Sequence, residues 1–221
     1  MDPAALLRVL ALGDSAFPSG GLAFSGGLEA AVHAGHVLDE DGLRTFVVAV
    51  LRGRWALTER VFLARCARAP GLAGALAVDH DVETSATVEE LRRASRRAGR
   101  AALGTHVALG VPEAVEFAAL VDAGRSPGHL VTVQAVCLRA GGLDPDEVEA
   151  VSAWNLVSQL AAAGLRLGLC GHLGAQRVIA TGNAVAAEVL RGPSPPEPST
   201  STPLLDVLAA RTVGDGRMFA G

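Results

Sequence analysis

The sequence contains no lysine and no tyrosine, and Ile179 is its single isoleucine. All 19 basic residues are therefore arginines. Residues 18–29 are rich in glycine, with two glycine pairs that present backbone amides suited to an anion. A nucleotide-binding P-loop, however, needs the lysine of GxxxxGK[ST] beside the phosphates. The absence of lysine therefore excludes an NTPase of that class.

An excess of positive charge is also missing, because the formal net charge is −4. A nucleic-acid-binding protein normally has a basic balance on at least one face. One local cluster of basic residues spreads over two faces of a predicted helix and comprises Arg92, Arg93, Arg96, Arg97 and Arg100. We interpret it as a solvated helix surface, open to an acidic protein partner, and we expect no nucleic-acid binding.

Cysteine is scarce, and Cys66, Cys137 and Cys170 form no CxxC pair. Dispersed thiols in odd number predict a reducing compartment and buried, unpaired side chains. No secretory signal pattern opens the sequence, and the apolar runs are interrupted before they reach membrane-spanning length. We therefore expect a cytoplasmic protein that does not interact with membranes.

Strand-like alternation is nearly absent, because the valines stand among alanine and leucine at helical spacing. Helix-start signals recur instead: a capping-box pattern at Thr87 and Glu90, Pro112 before a helix that ends near Gly124, and Asp144-Pro145-Asp146-Glu147. Further helices are predicted over residues 4–12, 26–34, 41–67, 72–78, 130–139 and 173–190, the last with a break near Gly182. The sequence thus predicts an all-α fold, a single-domain bundle of about ten helices.

Residues 192–203 are rich in proline, serine and threonine and nearly devoid of apolar side chains. Such a segment cannot offset its ordering entropy by burial. We expect a flexible linker here, between a helical core domain at residues 1–191 and a C-terminal segment at residues 204–221. In that segment a short amphipathic helix precedes Met218 and Phe219, and we expect it to dock on another surface.

Ser25 is the candidate nucleophile in this sequence. Ala23-Phe24-Ser25-Gly26-Gly27 approximates the nucleophile elbow of α/β-hydrolases, but no predicted strand precedes it. We therefore interpret Ser25 as the N-cap of the helix at residues 26–34, with Glu29 near the positive end of the helix dipole. A serine hydrolase that uses Ser25 stays open as an alternative function.

Possible metal ligands do not cluster in the sequence. Glu29, His33 and His36 have helical spacing, but Gly35 is placed as a helix C-cap, so we expect His36 beyond the helix end. His80 lies between two aspartates, and the isolated histidines are His106, His129 and His172. None of these patterns has the spacing of a structural or catalytic metal site. We predict no catalytic residue, no metal site and no other cofactor.

Residues 18–29 resemble the N-terminal signature of the UreF family of urease accessory proteins. That signature runs Pro, small, Gly, Gly or Ala, aromatic, Ser, aromatic, Ser, any residue, Gly, Leu, Glu. The matching residues here are Pro18, Gly20, Gly21, Phe24, Ser25, Gly27, Leu28 and Glu29. Leu22 and Ala23 depart from the pattern.

The resemblance continues along the chain. Glu90-Leu91-Arg92 followed by Gly99 is similar to a Glu-Leu-Arg stretch of the family, and Arg217-Met218-Phe219 is similar to its Arg-Leu-Phe ending. Residues 169–177 resemble its Pro-Leu-Gly-Gln-x-x-Gly-Gln-Arg segment, with His172 in place of a glutamine. Matching residues there are Gly171, Gln176 and Arg177, and Arg166 stands where the family has a basic residue.

The resemblance implies an all-helical, dimeric chaperone without catalytic activity. Such proteins bind a UreD-type protein (called UreH in some organisms) and the GTPase UreG, modulate that GTPase, and assist nickel insertion into apo-urease. Nickel is then handled by the complex. The residues expected to bind partners are Arg166, His172, Gln176, Arg177, Arg217, Met218 and Phe219. Those expected to form a structural motif are Pro18, Gly20, Gly21, Phe24, Ser25, Gly27 and Glu29. A helical interaction module unrelated to urease stays open as a further alternative.

Overall fold

The structure of the protein, a computed structural model, describes residues 3–14, 17, 26–85 and 88–199 of the chain. All regular structure in these ranges is helical, which confirms the all-α prediction. No helix in them is both long and apolar enough to cross a membrane. The predicted docking segment at residues 204–221 lies outside the described part of the chain.

Ten α-helices and one π-helical segment follow one another in the described ranges. Their bounds are α1 Pro3–Gly13, α2 Leu28–His33, α3 Glu40–Val50, the π-helical segment Leu51–Glu59, α4 Arg60–Arg68, α5 Gly71–Ser85, α6 Glu89–Ala108, α7 Pro112–Asp122, α8 Leu130–Ala140, α9 Pro145–Arg166 and α10 His172–Leu190. The single helix predicted over residues 41–67 is thus helical throughout, but its middle has π geometry.

The chain divides into two compact units, each with its own apolar core. Unit 1 comprises Met1–Gly21 and Arg60–Ser152, and its described core includes Leu63 and Phe117. Unit 2 comprises Leu22–Glu59 and Ala153–Gly221. Its described core is built around Leu28, Leu43, Trp55 and Leu160. The predicted boundaries at residues 191 and 203 stay a prediction.

The start of α2 differs from the prediction. The helix begins at Leu28 with Gly27 as its N-cap, and the φ angles of Gly26 and Gly27 are 60° and 93°. Two successive residues in the left-handed region cannot belong to a right-handed helix. The predicted N-cap role of Ser25 is therefore wrong, and Ser25 itself lies outside the described residues.

The predicted end of α2 is confirmed. The Gly35 N–H donates to Val32 O at 3.0 Å, and the His36 N–H donates to Ala31 O at 2.9 Å. These two bonds form a Schellman motif around Gly35, which has a φ of 73°. His36 consequently lies beyond the helix, as the sequence predicts.

Helix starts illustrate one confirmed and one wrong prediction. At α9, Asp144 Oδ1 accepts from the Glu147 N–H at 2.8 Å, and Glu147 Oε2 accepts from the Asp144 N–H at 2.9 Å. This reciprocal pair is the predicted capping box. At α6 the N-cap is Val88, which makes no side-chain capping bond, so the box predicted from Thr87 and Glu90 is wrong. Thr87 lies outside the described residues.

Two further helices run longer than predicted. Helix α5 continues past Val78 to Ser85, and Asp79, the first residue beyond the predicted end, is buried. Helix α10 is unbroken at Gly182. A Cβ atom at this position would lie 2.7 Å from Val157 Cγ1 and 3.2 Å from Val47 Cγ1. Gly182 therefore allows α10 to pack closely against α9 and α3 within unit 2.

An even closer contact occurs in unit 1, between α6 and the connection that precedes α8. A Cβ atom added to Gly99 would overlap Gly128 O and would lie 2.9 Å from Leu130 N. Backbone therefore faces backbone at this point, with no room for a side chain. Gly104 lies in the same helix, and a Cβ atom there would meet nothing within 4 Å.

We predict opposite effects for two glycine-to-alanine substitutions in α6. Gly99→Ala is expected to lower the free energy of unfolding by about 1–3 kcal/mol or more, because the backbone at residues 128–130 must move away. Gly104→Ala is expected to raise it by up to about 1 kcal/mol, because alanine favours the helix. Urea denaturation followed by circular dichroism measures both. Equal effects of the two substitutions would contradict the close backbone contact.

Candidate functional site

Four of the residues expected to bind partners lie in the described part of unit 2. Arg166 is the last residue of α9, and His172, Gln176 and Arg177 lie in the first two turns of α10. All four are exposed. The other three, Arg217, Met218 and Phe219, lie outside the described residues.

Arg177 is held by a carboxylate of the same chain. Its Nε lies 2.7 Å from Glu40 Oε1 and its Nη2 lies 2.7 Å from Glu40 Oε2. The hydrogen bond from Arg177 is the main cause that lowers the pKa of Glu40, with burial acting in the opposite direction. A Cβ atom at Gly174 would overlap the Glu40 carboxylate, so this glycine provides the space for the pair. The Arg177 guanidinium thus joins α10 to α3 within the chain. A contact of Arg177 with a partner stays a prediction.

Two exposed leucines lie close in sequence to the members of this ion pair, one before α3 and one on α10. Leu38, two residues before Glu40, is 75% exposed, and Leu173, four residues before Arg177, is 76% exposed. On a helix, residues four apart share a face. We call Leu38, Glu40, His172, Leu173, Gln176 and Arg177 the α10 surface. It combines apolar side chains with an ordered guanidinium.

Only part of the expected structural motif is described. Gly27 caps α2, and Glu29 is buried, with 3% of its surface exposed. The residues of the motif outside the described ranges are Pro18, Gly20, Gly21, Phe24 and Ser25. Arg54 of the π-helical segment donates to Gly26 O at 3.2 Å, which fastens the end of the glycine-rich stretch.

The π-helical segment also binds the chain beyond α10. The Ser199 N–H donates to Leu57 O at 2.8 Å, and Thr58 Oγ1 donates to Ser199 O at 2.6 Å. Ser199 is the last described residue. Ser199, in the predicted linker at residues 192–203, is therefore held by the π-helical segment, and the flexibility predicted for this linker stays a prediction.

The basic cluster of α6 is largely paired within unit 1. Arg96 Nη1 lies 2.6 Å from Glu83 Oε1, and Glu89 pairs with both Arg92 and Arg93. The hydrogen bond from Arg92 is the main cause that lowers the pKa of Glu89, against the effect of burial. These pairs support the interpretation of the cluster as a helix surface, because much of its charge is neutralised locally.

A more deeply buried ion pair also lies in unit 1. Arg60 Nε lies 2.7 Å from Glu149 Oε2, and both side chains are about 5% exposed or less. Arg68 Nη1 lies 2.7 Å from Glu149 Oε1 and extends the pair toward the surface. Each oxygen of Glu149 therefore has a guanidinium partner, as a buried carboxylate requires.

Two of the histidines considered as metal ligands have backbone partners. His33 Nδ1 lies 3.0 Å from Glu29 O, and His80 Nε2 lies 3.1 Å from Arg125 O. In the ranges that the structure describes, no group of three or more histidine, cysteine, aspartate or glutamate residues could hold a metal ion.

One buried polar network escaped the sequence analysis. Asp79 of α5 is fully buried and accepts hydrogen bonds from Ser126 Oγ at 2.5 Å, from Gly128 N at 2.6 Å and from His129 N at 3.0 Å. The predicted end of α5 at Val78 concealed the i, i+4 spacing of Asp79 and Glu83 on one helix face. We call Asp79, Glu83, Ser95, Ser126 and His129 the Asp79–His129 network.

Comparison with known proteins agrees with the resemblance. The sequence profile of the UreF family matches residues 37–182. The chain is 33% identical over 187 residues to the urease accessory protein UreF of Agrobacterium fabrum, covering 84% of this chain and 81% of that protein. It is 26% identical to UreF of Yersinia enterocolitica over 95% of both chains. It is 28% identical to UreF 1 of Brucella melitensis over 97% of this chain and 92% of that protein.

All three relatives are named as urease accessory proteins. The chain belongs to the UreF family, since the profile match spans more than half of it.

We predict that two glutamate-to-glutamine substitutions differ sharply in effect. Glu149→Gln removes the buried anion that binds Arg60 Nε and is expected to lower the free energy of unfolding by about 3–5 kcal/mol. Glu40→Gln weakens an exposed pair and is expected to change the urea midpoint far less. Urea denaturation of both variants at pH 7.5 measures the difference. A small effect of Glu149→Gln would mean that solvent reaches the Arg60 guanidinium.

Proposed function

We propose that this protein is a non-catalytic chaperone of urease maturation. It forms a homodimer, binds a UreD/UreH-type accessory protein and a UreG-type GTPase, modulates the GTPase, and assists nickel insertion into apo-urease. Membership of the UreF family over residues 37–182 is the observation that carries this proposal. Nickel is the cargo of the complex in this scheme.

The α10 surface supports a role in partner binding. Leu38 and Leu173 offer two exposed apolar side chains, and protein interfaces typically surround such groups with a polar rim. Glu40 already orders the Arg177 side chain, which reduces the conformational entropy lost when a partner binds. His172 and Gln176 provide further hydrogen-bonding groups on the same surface. Arg166 is a further exposed cation in unit 2.

The C-terminal segment is the second proposed contact. The π-helical segment holds Ser199, five residues before this segment, through Leu57 and Thr58. Met218 and Phe219 then act as apolar anchors in the partner, and Arg217 adds a charged contact.

We place this activity in the cytoplasm. Cys66, Cys137 and Cys170 are free in the structure, and burial raises the pKa of the first two thiols to about 12. Free thiols are typical of a reducing compartment. Their high pKa also makes them poor metal ligands and poor nucleophiles.

The central experiment is activation of urease in cells. We expect co-expression of this protein with urease subunits, a UreD-type protein and a UreG-type GTPase to produce nickel-dependent urease activity that is lost when this gene is omitted. Deletion of residues 204–221 is expected to abolish co-purification with the UreD-type protein while helix content is retained. Full activity without the gene, or unchanged co-purification of the deletion variant, would refute the proposal or its tail contact respectively.

Exchanging the charges of Glu40 and Arg177 distinguishes a role of Arg177 in partner binding from its role in the ion pair with Glu40. Arg177→Ala is expected to reduce urease activation, whereas Arg100→Ala, which removes a similarly exposed arginine of unit 1, is expected not to. The double variant Glu40→Arg with Arg177→Glu restores the internal ion pair but reverses its direction. We expect it to stay defective because the partner meets the wrong charge. Recovery of activity would show that Arg177 acts only on the fold.

A further inference from the structure

Ser199 has both of its backbone hydrogen-bonding groups bound by the π-helical segment. Its N–H donates to Leu57 O at 2.8 Å, and its carbonyl accepts from Thr58 Oγ1 at 2.6 Å. Two neighbouring residues of the π-helical segment therefore hold one residue of the predicted linker. Thr58 and Ser199 are 141 positions apart in the sequence, so this contact belongs to the tertiary fold.

The hydroxyl of Thr58 bonds differently from those of two other helical threonines in unit 2. Thr45 and Thr181 each donate to the carbonyl four residues back in their own helix, at 3.0 Å. Ser and Thr side chains on helices often make this local bond. Thr58 Oγ1 donates to Ser199 instead, from within a stretch of π geometry, which in helices is frequent at functional positions.

The residues between α10 and Ser199 are partly covered by the rest of the chain. The hydroxyl oxygen of Ser194 is enclosed, and Pro195 and Pro198 are half-buried. Four of the seven residues at 192–198 are prolines, whose fixed φ leaves less conformational entropy to lose on ordering. A few contacts can therefore order this stretch, although it contains few apolar side chains.

The contact at Ser199 limits where the C-terminal segment, residues 204–221, can begin. An extended chain advances by at most about 3.6 Å per residue, so Leu204 lies within about 18 Å of Ser199. If Ser199 were released, the tether would run from Leu190 at the end of α10, and the corresponding limit would be about 50 Å. The two hydrogen bonds therefore confine the start of the segment to a much smaller volume.

We infer that Thr58 and Ser199 form a clamp that positions the C-terminal segment for its partner. The inference rests on the proposed function, with the α10 surface and the C-terminal segment both in contact with the UreD/UreH-type protein. For two linked contacts, the effective concentration of the second falls roughly as the −3/2 power of tether length. A tether of residues 199–204 in place of residues 190–204 raises it about fivefold. Thr58 is thus a positioning residue that acts through the segment.

Distances within the free, full-length protein test the clamp without any partner. Spin labels are attached to cysteines introduced by Ala184→Cys, at an exposed position of α10, and by Ala209→Cys in the C-terminal segment. Cys170→Ser removes the partly exposed native thiol, whereas Cys66 and Cys137 are buried and stay unlabelled. Pulsed electron paramagnetic resonance then measures the distribution of distances between the two labels.

The clamp variant combines Thr58→Val with Ser199→Pro and so lacks both the hydroxyl and the N–H that form the two bonds. We expect a broader distance distribution for this variant than for the labelled protein with an intact clamp. Thr45→Val is the matched control, because it removes a hydroxyl that bonds to its own helix in unit 2, and we expect no broadening. Equal widths with and without the clamp would overturn the inference.

Affinity for the UreD-type protein tests the consequence for the partner. We expect the clamp variant to bind about fivefold more weakly than the wild type and Thr45→Val to bind equally well. A Gly/Ser spacer of about nine residues inserted after Ser199, with the clamp intact, lengthens the tether to the same extent and is expected to weaken binding by a similar factor. A purely structural role of Thr58 predicts no effect of the spacer.

The outcomes separate the clamp from the proposed function. If the wild type does not bind the UreD-type protein, the proposed function is wrong, and the distance distributions still decide whether the clamp confines the segment. If the wild type binds and the clamp variant binds equally well, the positioning role is refuted. It is also refuted if the clamp variant loses affinity while the spacer has no effect, because Thr58 would then act on the fold alone.

Discussion

The carboxylate of Asp79 is the interaction on which unit 1 depends. Asp79 is fully buried, and its carboxylate accepts hydrogen bonds from three donors in the connection between α7 and α8. A buried anion without such donors would be far more costly than any apolar residue of similar size. The bonds set the position of Gly128, and the bare backbone of Gly99 then allows α6 to close over it. The apolar core that includes Phe117 lies in the same unit.

Unit 2 is organised by small residues and one ion pair. Gly182 brings α10 against α9 and α3, and Gly174 leaves space for Glu40 to bind Arg177. The segment at residues 169–177, which resembles the UreF family, therefore has a structural role. Its residues Gly174 and Arg177 determine how the start of α10 packs against α3. Its outward residues, His172 and Gln176, have no comparable role in the core, because both are exposed. One short motif thus serves packing on one side of the helix and presents a surface on the other.

Local patterns in the sequence predicted the helices well. The Asp144 and Glu147 capping box and the stop at Gly35 depend on neighbours a few residues away, so the sequence contains the whole cause. The Asp79–His129 network joins residues about 50 positions apart, and spacing along the chain does not reveal such contacts. The predicted break at Gly182 was wrong for a related reason. A glycine that interrupts a helix and a glycine that allows close packing of a neighbouring helix cannot be distinguished from local sequence. The π-helical segment preserves a helical pattern closely enough to be taken for an α-helix.

The ion pairs have a consequence for alkaline conditions. Every cationic side chain in the chain except histidine is an arginine, whose guanidinium keeps its charge well beyond pH 10. The bonds of Arg60 to Glu149 and of Arg177 to Glu40 therefore persist as the solution becomes basic, where lysine-based pairs would discharge. The sequence contains no tyrosine, and burial raises the pKa of the Cys66 and Cys137 thiols to about 12, so these groups add little charge in basic solution.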